Sequence, residues 1–102
     1  MLPVPTSHAD YHFSITVHTD DLALLGCLRA LSAHVQSIGN NRIPWGGTKE
    51  TDWLRDNHQA TFHFSDPGFR DSFVVEAERL LPKALWSVMS QDDADPASRQ
   101  SD

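Results

Sequence analysis

The stretch Y-H-F-S-I-T-V-H, residues 11–18, decides the fold class. Its apolar residues occupy every second position, and His12, Ser14, Thr16 and His18 occupy the positions between them. Successive side chains of a β-strand point to opposite faces of a sheet, so this alternation predicts a strand with one buried face and one polar face. It is the clearest strand signal in the chain.

An amphipathic helix is predicted directly after this strand. Thr19 suits the N-cap, and Asp20 and Asp21 suit the positive end of the helix dipole. Apolar residues then recur at spacings of three and four until Gly39, a typical C-terminal glycine. The predicted buried stripe consists of Leu24, Leu28, Leu31, Val35 and Ile38.

Two further strands are predicted in the second half of the chain. Residues 59–65, Q-A-T-F-H-F-S, place two phenylalanines on one side and Thr61 and His63 on the other. Residues 84–90, A-L-W-S-V-M-S, alternate in the same way and form the last predicted strand.

A second amphipathic helix is predicted between these two strands. Ser65 or Asp66 is the expected cap, Pro67 suits the first turn, and Pro82 ends the helix. The predicted apolar stripe consists of Phe69, Phe73, Ala77, Leu80 and Leu81.

Residues 40–57 have two interpretations. One places a strand at about residues 48–55, because their polar composition and the nearby Pro44 suit the edge of a sheet. The other makes Thr51 or Asp52 the cap of a short helical turn that holds the second tryptophan of this stretch. The strand is the favoured interpretation.

With that strand, the elements follow the order strand, helix, strand, strand, helix, strand. This order predicts an α+β fold, a ferredoxin-like βαββαβ two-layer sandwich in which two helices cover one face of an antiparallel sheet. The expected domain spans residues 10–91, after an extended leader at residues 1–9 and before a flexible acidic tail at residues 92–102. A chain of 102 residues has room for one hydrophobic core.

The composition argues against several classes of function. Fourteen acidic and eight basic residues give a formal charge of -6, which does not suit binding to nucleic acid. The single Cys27 cannot form an internal disulfide, and no CxxC spacing exists for structural zinc. No membrane-spanning run or secretory signal pattern is present, so we expect a cytoplasmic protein without a metal or cofactor.

Histidine is the residue type that most suggests a functional site. In the predicted sheet the strands at residues 11–18 and 59–65 are neighbours, so their outward residues form one polar platform. It consists of His12, Ser14, Thr16, His18, Thr61 and His63. These residues suit a small anionic or metal-bound ligand or acid–base chemistry, and a solvated face without a site is the alternative. No Asp or Glu lies on the same face of these strands to orient an imidazole, which weakens the enzyme interpretation.

Arg42 and Trp45 are further candidates for ligand binding. Trp45 either packs over the end of the sheet or forms one wall of a pocket beside Arg42 and Lys49. The structural role is the commoner one for a single tryptophan in a loop.

The polar face of the sheet could also be buried against a second copy of the chain. Leu85 and Met89 of the last strand would then contribute apolar contacts to the interface. A small sandwich with one open face is marginally stable alone, so a homodimer through the sheet has a physical motive.

The segment F-S-I-T-V-H-T-D-D-L-A-L-L-G-C-L-R-A-L-S, residues 13–32, resembles the start of an ACT domain. ACT domains are small βαββαβ modules that bind amino acids and regulate metabolic enzymes. Asp21, Leu24 and Leu25 match the family's Asp and its two leucines at the helix start, whereas the two residues after Asp21 depart from its Pro-Gly pair. The resemblance implies the same topology and a small-molecule site near residues 18–23.

Three functions are compatible with these patterns. The leading hypothesis is a non-catalytic binding or regulatory module that works as a homodimer through its sheet and recognises a small molecule or a protein partner. The first alternative is a small enzyme whose open-face histidines perform acid–base or metal chemistry, as dimeric monooxygenases of similar topology suggest by analogy. The second alternative is an accessory or inhibitory protein that acts through surface complementarity.

Overall fold

A computed structural model describes residues 12–35 and 48–95 of the chain, which form a small α+β domain. The elements are β1 (Phe13–Thr19), α1 (Leu22–Val35), α2 (Glu50–Arg55), β2 (Gln59–Phe64), α3 (Pro67–Leu80) and β3 (Trp86–Asp92), with a 3-10 turn at Lys83–Leu85 before β3. The three strands form one antiparallel sheet in the order β2-β1-β3, so β1 lies in the middle.

The core lies between the sheet and the helices, as the alternation in β1 and β2 predicts. Phe13 is opposite Phe64 and Ile15 is opposite Phe62 in the register of these strands. The rings of Phe62 and Phe64 both meet Phe73 of α3, with centroids 5.2 and 5.4 Å apart. Ile15 and the three phenylalanines of this contact are fully buried, so they form the centre of the core.

The predicted stripe of α1 is confirmed over the residues that the structure describes. Leu24, Leu28 and Leu31 are buried, and Val35 packs against the core. Ile38 and the predicted end of the helix lie outside the described residues.

The cap of α1 is Asp21, and the prediction of Thr19 is wrong. Asp21 Oδ1 accepts hydrogen bonds from the backbone N–H groups of Ala23, at 2.9 Å, and Leu24, at 3.2 Å. Thr19 still belongs to β1, and its hydroxyl donates to the carbonyl oxygen of Leu85 at 2.7 Å. This bond ties the end of β1 to the turn before β3.

The start of α3 is as predicted, whereas its buried side is different. Asp66 caps the helix by accepting a hydrogen bond from the N–H of Gly68 at 2.7 Å, and Pro67 is the first helical residue. The buried side is centred on Arg70, Phe73 and Ala77. The buried side is rotated from the predicted stripe toward Arg70. Phe69 and Leu80 are therefore exposed, and the prediction that they are core residues is wrong.

The favoured prediction of a strand at residues 48–55 is wrong, because Glu50–Arg55 form α2. The alternative, a short helical turn, is correct in type but begins before Thr51 and Asp52. This polar stretch forms a helix that buries one large apolar side chain, Trp53, against the core, while Leu54 faces solvent. The indole Nε1 of Trp53 donates to the carbonyl oxygen of Thr19 at 2.7 Å and fixes α2 against the end of β1.

The strand β3 lies at one edge of the sheet, and only its first residue, Trp86, is buried. It begins later than predicted, because Lys83–Leu85 form the 3-10 turn. It continues to Asp92, the residue at which the acidic tail was predicted to begin.

Candidate functional site

The polar face predicted from β1 and β2 exists, and its two ends have different surroundings. Its outward residues form the pairs Ser14 with His63, Thr16 with Thr61, and His18 with Gln59. The Thr16 and Thr61 hydroxyl oxygens are hydrogen-bonded at 2.8 Å. Four residues of extended strand separate Ser14 from His18, roughly 13 Å. His18 therefore lies apart from His12 and His63 and does not share a ligand with them.

At one end of this face, which we call the closed end, residues 93–95 fold over His63. The Asp95 N–H donates to the carbonyl oxygen of His12 at 2.9 Å, and His12 Nδ1 donates to the carbonyl oxygen of Asp93 at 2.6 Å. Asp95 Oδ2 lies 3.4 Å from His63 Nε2. His63 is only 7% exposed, and this burial lowers its pKa, although Asp95 acts in the opposite direction.

Arg70 of α3 fixes the closed end from beneath. Its Nη1 donates to the carbonyl oxygens of Ser14, at 3.3 Å, and Asp92, at 3.1 Å, and its Nη2 pairs with Asp93 Oδ1 at 2.7 Å. Because Arg70 is only 7% exposed, its guanidinium has lost most of its contact with water, and these oxygens replace that lost hydration. Arg70 was not predicted as a site residue. The only signal was the spacing of Arg70 from Phe73 and Ala77 on one side of a helix.

At the other end, which we call the cleft end, Asp20 lies between two imidazoles. Its Oδ1 accepts a hydrogen bond from His58 Nδ1 at 2.8 Å and lies 3.3 Å from His18 Nε2. The hydrogen bond from His58 is the largest cause of the lowered pKa of Asp20. As predicted, neither β1 nor β2 carries an Asp or Glu on this face; the carboxylate that contacts His18 comes from the turn after β1.

His58 is held in position by a left-handed turn between α2 and β2. Asn57 and His58 have φ values of 59° and 63°, which costs on the order of 1 kcal/mol for each non-glycine residue. The His58 N–H donates to the carbonyl oxygen of Trp53 at 2.7 Å, and its carbonyl oxygen accepts from the Thr19 N–H at 3.1 Å. Its ring stacks on Trp53 with centroids 4.2 Å apart. The available sequence signal was Asn57, a residue type that tolerates positive φ.

A cleft of about 620 Å³ opens beside Asp20, between the turn after β1 and the start of β3. This volume lies within the range of small-molecule sites. Its charged and polar lining includes His18, Asp20, Asp21 and Lys83. Its apolar lining includes Leu22, Leu85 and Trp86. The cleft therefore presents both signs of charge next to apolar surface.

Trp86 is the most buried apolar residue that lines this cleft. Its indole Nε1 is inaccessible to water and has no hydrogen-bond acceptor among the described residues. An unsatisfied buried donor costs roughly 1–3 kcal/mol. Trp53 differs in this respect, because its Nε1 has the carbonyl oxygen of Thr19 as acceptor.

The remaining predicted site residues have different positions. Arg42 and Trp45 lie outside the described residues. Leu85 and Met89 are exposed, and Leu85 also lines the cleft. Lys83 and Trp86 were not predicted as site residues, since the start of β3 meets the turn after β1 only in the folded chain.

Within residues 12–35 and 48–95, no group of three His, Cys, Asp or Glu side chains is placed to hold a metal ion. Over the same ranges, none of the helices has the length and apolar character needed to cross a membrane.

Comparison with protein families finds no matching family model, and comparison with curated proteins and with solved structures finds no significant match. Function is therefore inferred from the geometry of the two ends of the sheet.

Proposed function

We propose that this chain is a small binding or regulatory module whose ligand occupies the cleft beside Asp20. The supporting observation is that carboxylates, an ammonium group and apolar side chains line one cleft of about 620 Å³. The side chains of Asp20 and Lys83 are both largely exposed, so a ligand can reach them. A small molecule with a positive group, a negative group and an apolar portion suits this lining, and a free amino acid has all three.

Each part of such a ligand has a counterpart in the cleft. Its ammonium group would approach Asp20 and Asp21, and its carboxylate would approach Lys83. Exposed ion pairs of this kind contribute only about 0–1 kcal/mol each. Apolar contact with Leu22 and Leu85 would add about 25 cal/mol for each Å² removed from water. We therefore expect modest affinity and a preference for apolar amino acids.

The ACT-like segment supports the same location. Residues 13–32 form β1 and most of α1, and Asp21 caps α1 beside the cleft. The small-molecule site that the resemblance implies near residues 18–23 coincides with one wall of this cleft.

We also propose that the domain is a ferredoxin-like βαββαβ sandwich in which α2 stands in place of one edge strand. The order β2-β1-β3 supports this assignment, because it places the first strand between the third and fourth strands of that plan. Buried residues of α1 and α3 share one core with Ile15 and Phe62, which supports both helices lying on one face of the sheet, as this fold requires.

The ligand proposal is tested by adding free amino acids singly, at millimolar concentration, to the ¹⁵N-labelled chain and recording amide chemical shifts. We expect saturable shifts centred on Asp20, Lys83 and Leu85 for apolar amino acids. Lys83→Ala should weaken binding, while Arg79→Ala, which removes an exposed cation that does not line the cleft, should not. The absence of saturable shifts for every amino acid, or equal effects of both variants, would overturn the proposal.

A second candidate, a small enzyme, is favoured by the contacts of Asp20 with His18 and His58. A carboxylate that orients an imidazole is a common arrangement for general acid–base catalysis. His18 also lines the cleft, so it is the better placed of the two to meet a substrate. We expect hydrolysis of p-nitrophenyl acetate or p-nitrophenyl phosphate that His18→Gln abolishes and that His34→Gln, on the exposed side of α1, leaves unchanged. Rates equal to the buffer background would eliminate this candidate.

We further propose that the module works as a cytoplasmic homodimer paired through its sheet. The exposed thiol of Cys27 suits a reducing compartment. Leu85 and Met89 are exposed apolar side chains at the start and in the middle of the edge formed by β3 and its preceding turn.

A further inference from the structure

We infer that two copies of the chain pair through the free edge of β3, and that each copy closes the open side of the other's cleft. This inference rests on the proposed ligand site, to which it adds a residue from the partner.

In the described part of the chain, the outer edge of β3 has no neighbouring strand. This seven-residue strand bonds to β1 on one side, and no strand among residues 12–35 and 48–95 lies on its other side. Edge strands of monomeric proteins usually carry Lys or Pro or are covered, because their unpaired N–H and C=O groups attract other strands. Residues 86–91, W-S-V-M-S-Q, contain neither Pro nor a charged residue. Residues 86–91 therefore lack the charges and prolines that commonly prevent pairing, although the strand contains a β-bulge.

The opposite edge of the sheet does not offer the same surface. Most of β2 is buried, including Ala60 and His63, and α2 contacts this strand. In β3, by contrast, Val88 and Met89 are 41% and 53% exposed. Only β3 combines a free backbone edge with exposed apolar side chains in the described part of the chain.

Met89 interrupts the ladder between β3 and β1. Val88 lies opposite Val17 and Ser90 lies opposite Thr16, so Met89 is an extra residue that forms a β-bulge. A bulge increases the local twist of an edge, and its position at the middle of β3 is compatible with a two-fold axis there. Two copies of Val88 and Met89 would then meet at the axis and supply an apolar centre.

The charges at the two ends of β3 favour an antiparallel pair of identical strands. Lys83 precedes the strand, and Asp92 and Asp93 follow at its other end. Lys83 and Asp93 lie at equal distances from Val88 along the chain. An antiparallel pairing centred on Val88 therefore places each Lys83, which lies 3.8 Å from Glu78 of its own chain, beside the partner's Asp92, whereas a parallel pairing would place like charges together.

This pairing also completes the cleft. The start of β3 borders the large cleft and a second hollow of about 300 Å³, and Lys83, Trp86 and Ser87 line both. The partner's residues 90–92 would run beside these residues and across the open side of the cleft. The partner's Asp92 would then compete with the ligand's carboxylate for Lys83, so that ligand affinity changes with dimer formation.

Sedimentation velocity of the full chain over a concentration series tests the pairing. We expect twice the mass of the 11.4 kDa chain, and a shift to the single-chain mass in Met89→Lys. Leu54→Lys is the matched control, because Leu54 is 57% exposed on α2, away from β3. Circular dichroism and the urea midpoint establish that both variants fold.

A charge exchange tests the antiparallel register. Lys83→Glu should raise the dimer Kd roughly 2- to 30-fold, because two symmetric ion pairs are lost. Lys83→Glu combined with Asp92→Lys should restore most of the affinity, since the pairs are re-formed with opposite signs.

The outcomes separate the pairing from the ligand proposal. A single-chain mass at every concentration, or a dimer that Met89→Lys leaves intact, would overturn the pairing. A Met89→Lys monomer that binds an amino acid as tightly as the wild-type dimer would overturn the closure of the cleft by the partner and leave the ligand proposal standing. A dimer that Met89→Lys dissociates but that binds no amino acid would overturn the ligand proposal and leave the pairing standing.

Discussion

The closed end and the cleft end of the sheet contain the same residue types in different surroundings. At the closed end, His63 and Arg70 are buried, and Asp93 and Asp95 cover them. At the cleft end, Asp20 and its two histidines are accessible to water beside an open cleft. The pairing of Asp with His is therefore not by itself a sign of function. Accessibility distinguishes an arrangement that stabilises the fold from one that can meet a ligand.

The largest expected effect tests whether the closed end stabilises the fold. Arg70→Met keeps much of the aliphatic volume but removes the hydrogen bonds to Ser14 and Asp92 and the pair with Asp93. We expect the free energy of unfolding to fall by about 2–4 kcal/mol in urea denaturation. Arg79→Met, which removes an exposed pair with Glu76, should have no measurable effect. Equal stability of the two variants would contradict the structural role of Arg70.

A smaller effect separates the two buried tryptophans. Trp53→Phe removes a hydrogen bond to the carbonyl oxygen of Thr19, whereas Trp86→Phe removes a donor without an acceptor among the described residues. Both changes remove similar volume, so their difference reports the hydrogen bond together with the stacking of Trp53 on His58. We expect Trp53→Phe to be the more destabilising by about 1 kcal/mol, measured by urea denaturation. A larger loss for Trp86→Phe would show that its indole N–H has a partner in solution.

A pH dependence should arise from the closed end. Burial lowers the pKa of His63 below its ordinary value of 6.5, so the unfolded chain binds more protons than the folded chain. The stability associated with neutral His63 is therefore present above pH 6.5 and is lost as the pH falls through its folded pKa. One proton limits the slope to about 1.4 kcal/mol per pH unit.

The comparison of wild type with His63→Gln isolates this dependence from the other histidines. The difference between the urea midpoints at about pH 7.5 and about pH 5.5 should be smaller in the variant than in the wild type. Asp95 opposes the shift, so Asp95→Asn should steepen the pH dependence. An unchanged slope in His63→Gln would assign the effect to another group.

The smallest expected change in stability is at the cleft end. Asp20 is exposed, so Asp20→Asn should leave the urea midpoint near neutral pH unchanged while it reduces the amide shifts caused by amino acids. A loss of stability equal to that of Arg70→Met would remove the distinction between the two ends.

Periodicity alone predicted the parts of this fold that have a repeating buried face. The alternation in β1 and β2 and the spacings in α1 identified these elements, because burial on one side of a regular element leaves a regular pattern. The six residues of α2 offered no such pattern, since Trp53 and Asp52 are the only buried ones. One apolar anchor in a short polar stretch fits a strand and a helix equally well.

The candidate site was predictable only in part for a related reason. Strand alternation placed the histidines on the outward face, and the ACT resemblance pointed to residues 18–23. Asp20 lies only two residues from His18, whereas its contact with His58 and the contact of Asp95 with His63 join residues that are distant in sequence. Such contacts follow from how the elements pack together, and local sequence patterns carry no information about them.

The position of β1 has a consequence for how this protein forms during synthesis. Thr19, at the end of the central strand, pairs with Trp86, at the start of a strand made much later. The ribosome therefore releases a strand with one apolar face long before one of its two neighbours exists, and closing the intervening loop slows formation of the sheet. Nascent chains are thus exposed to aggregation through residues 13–19 until translation has passed β3.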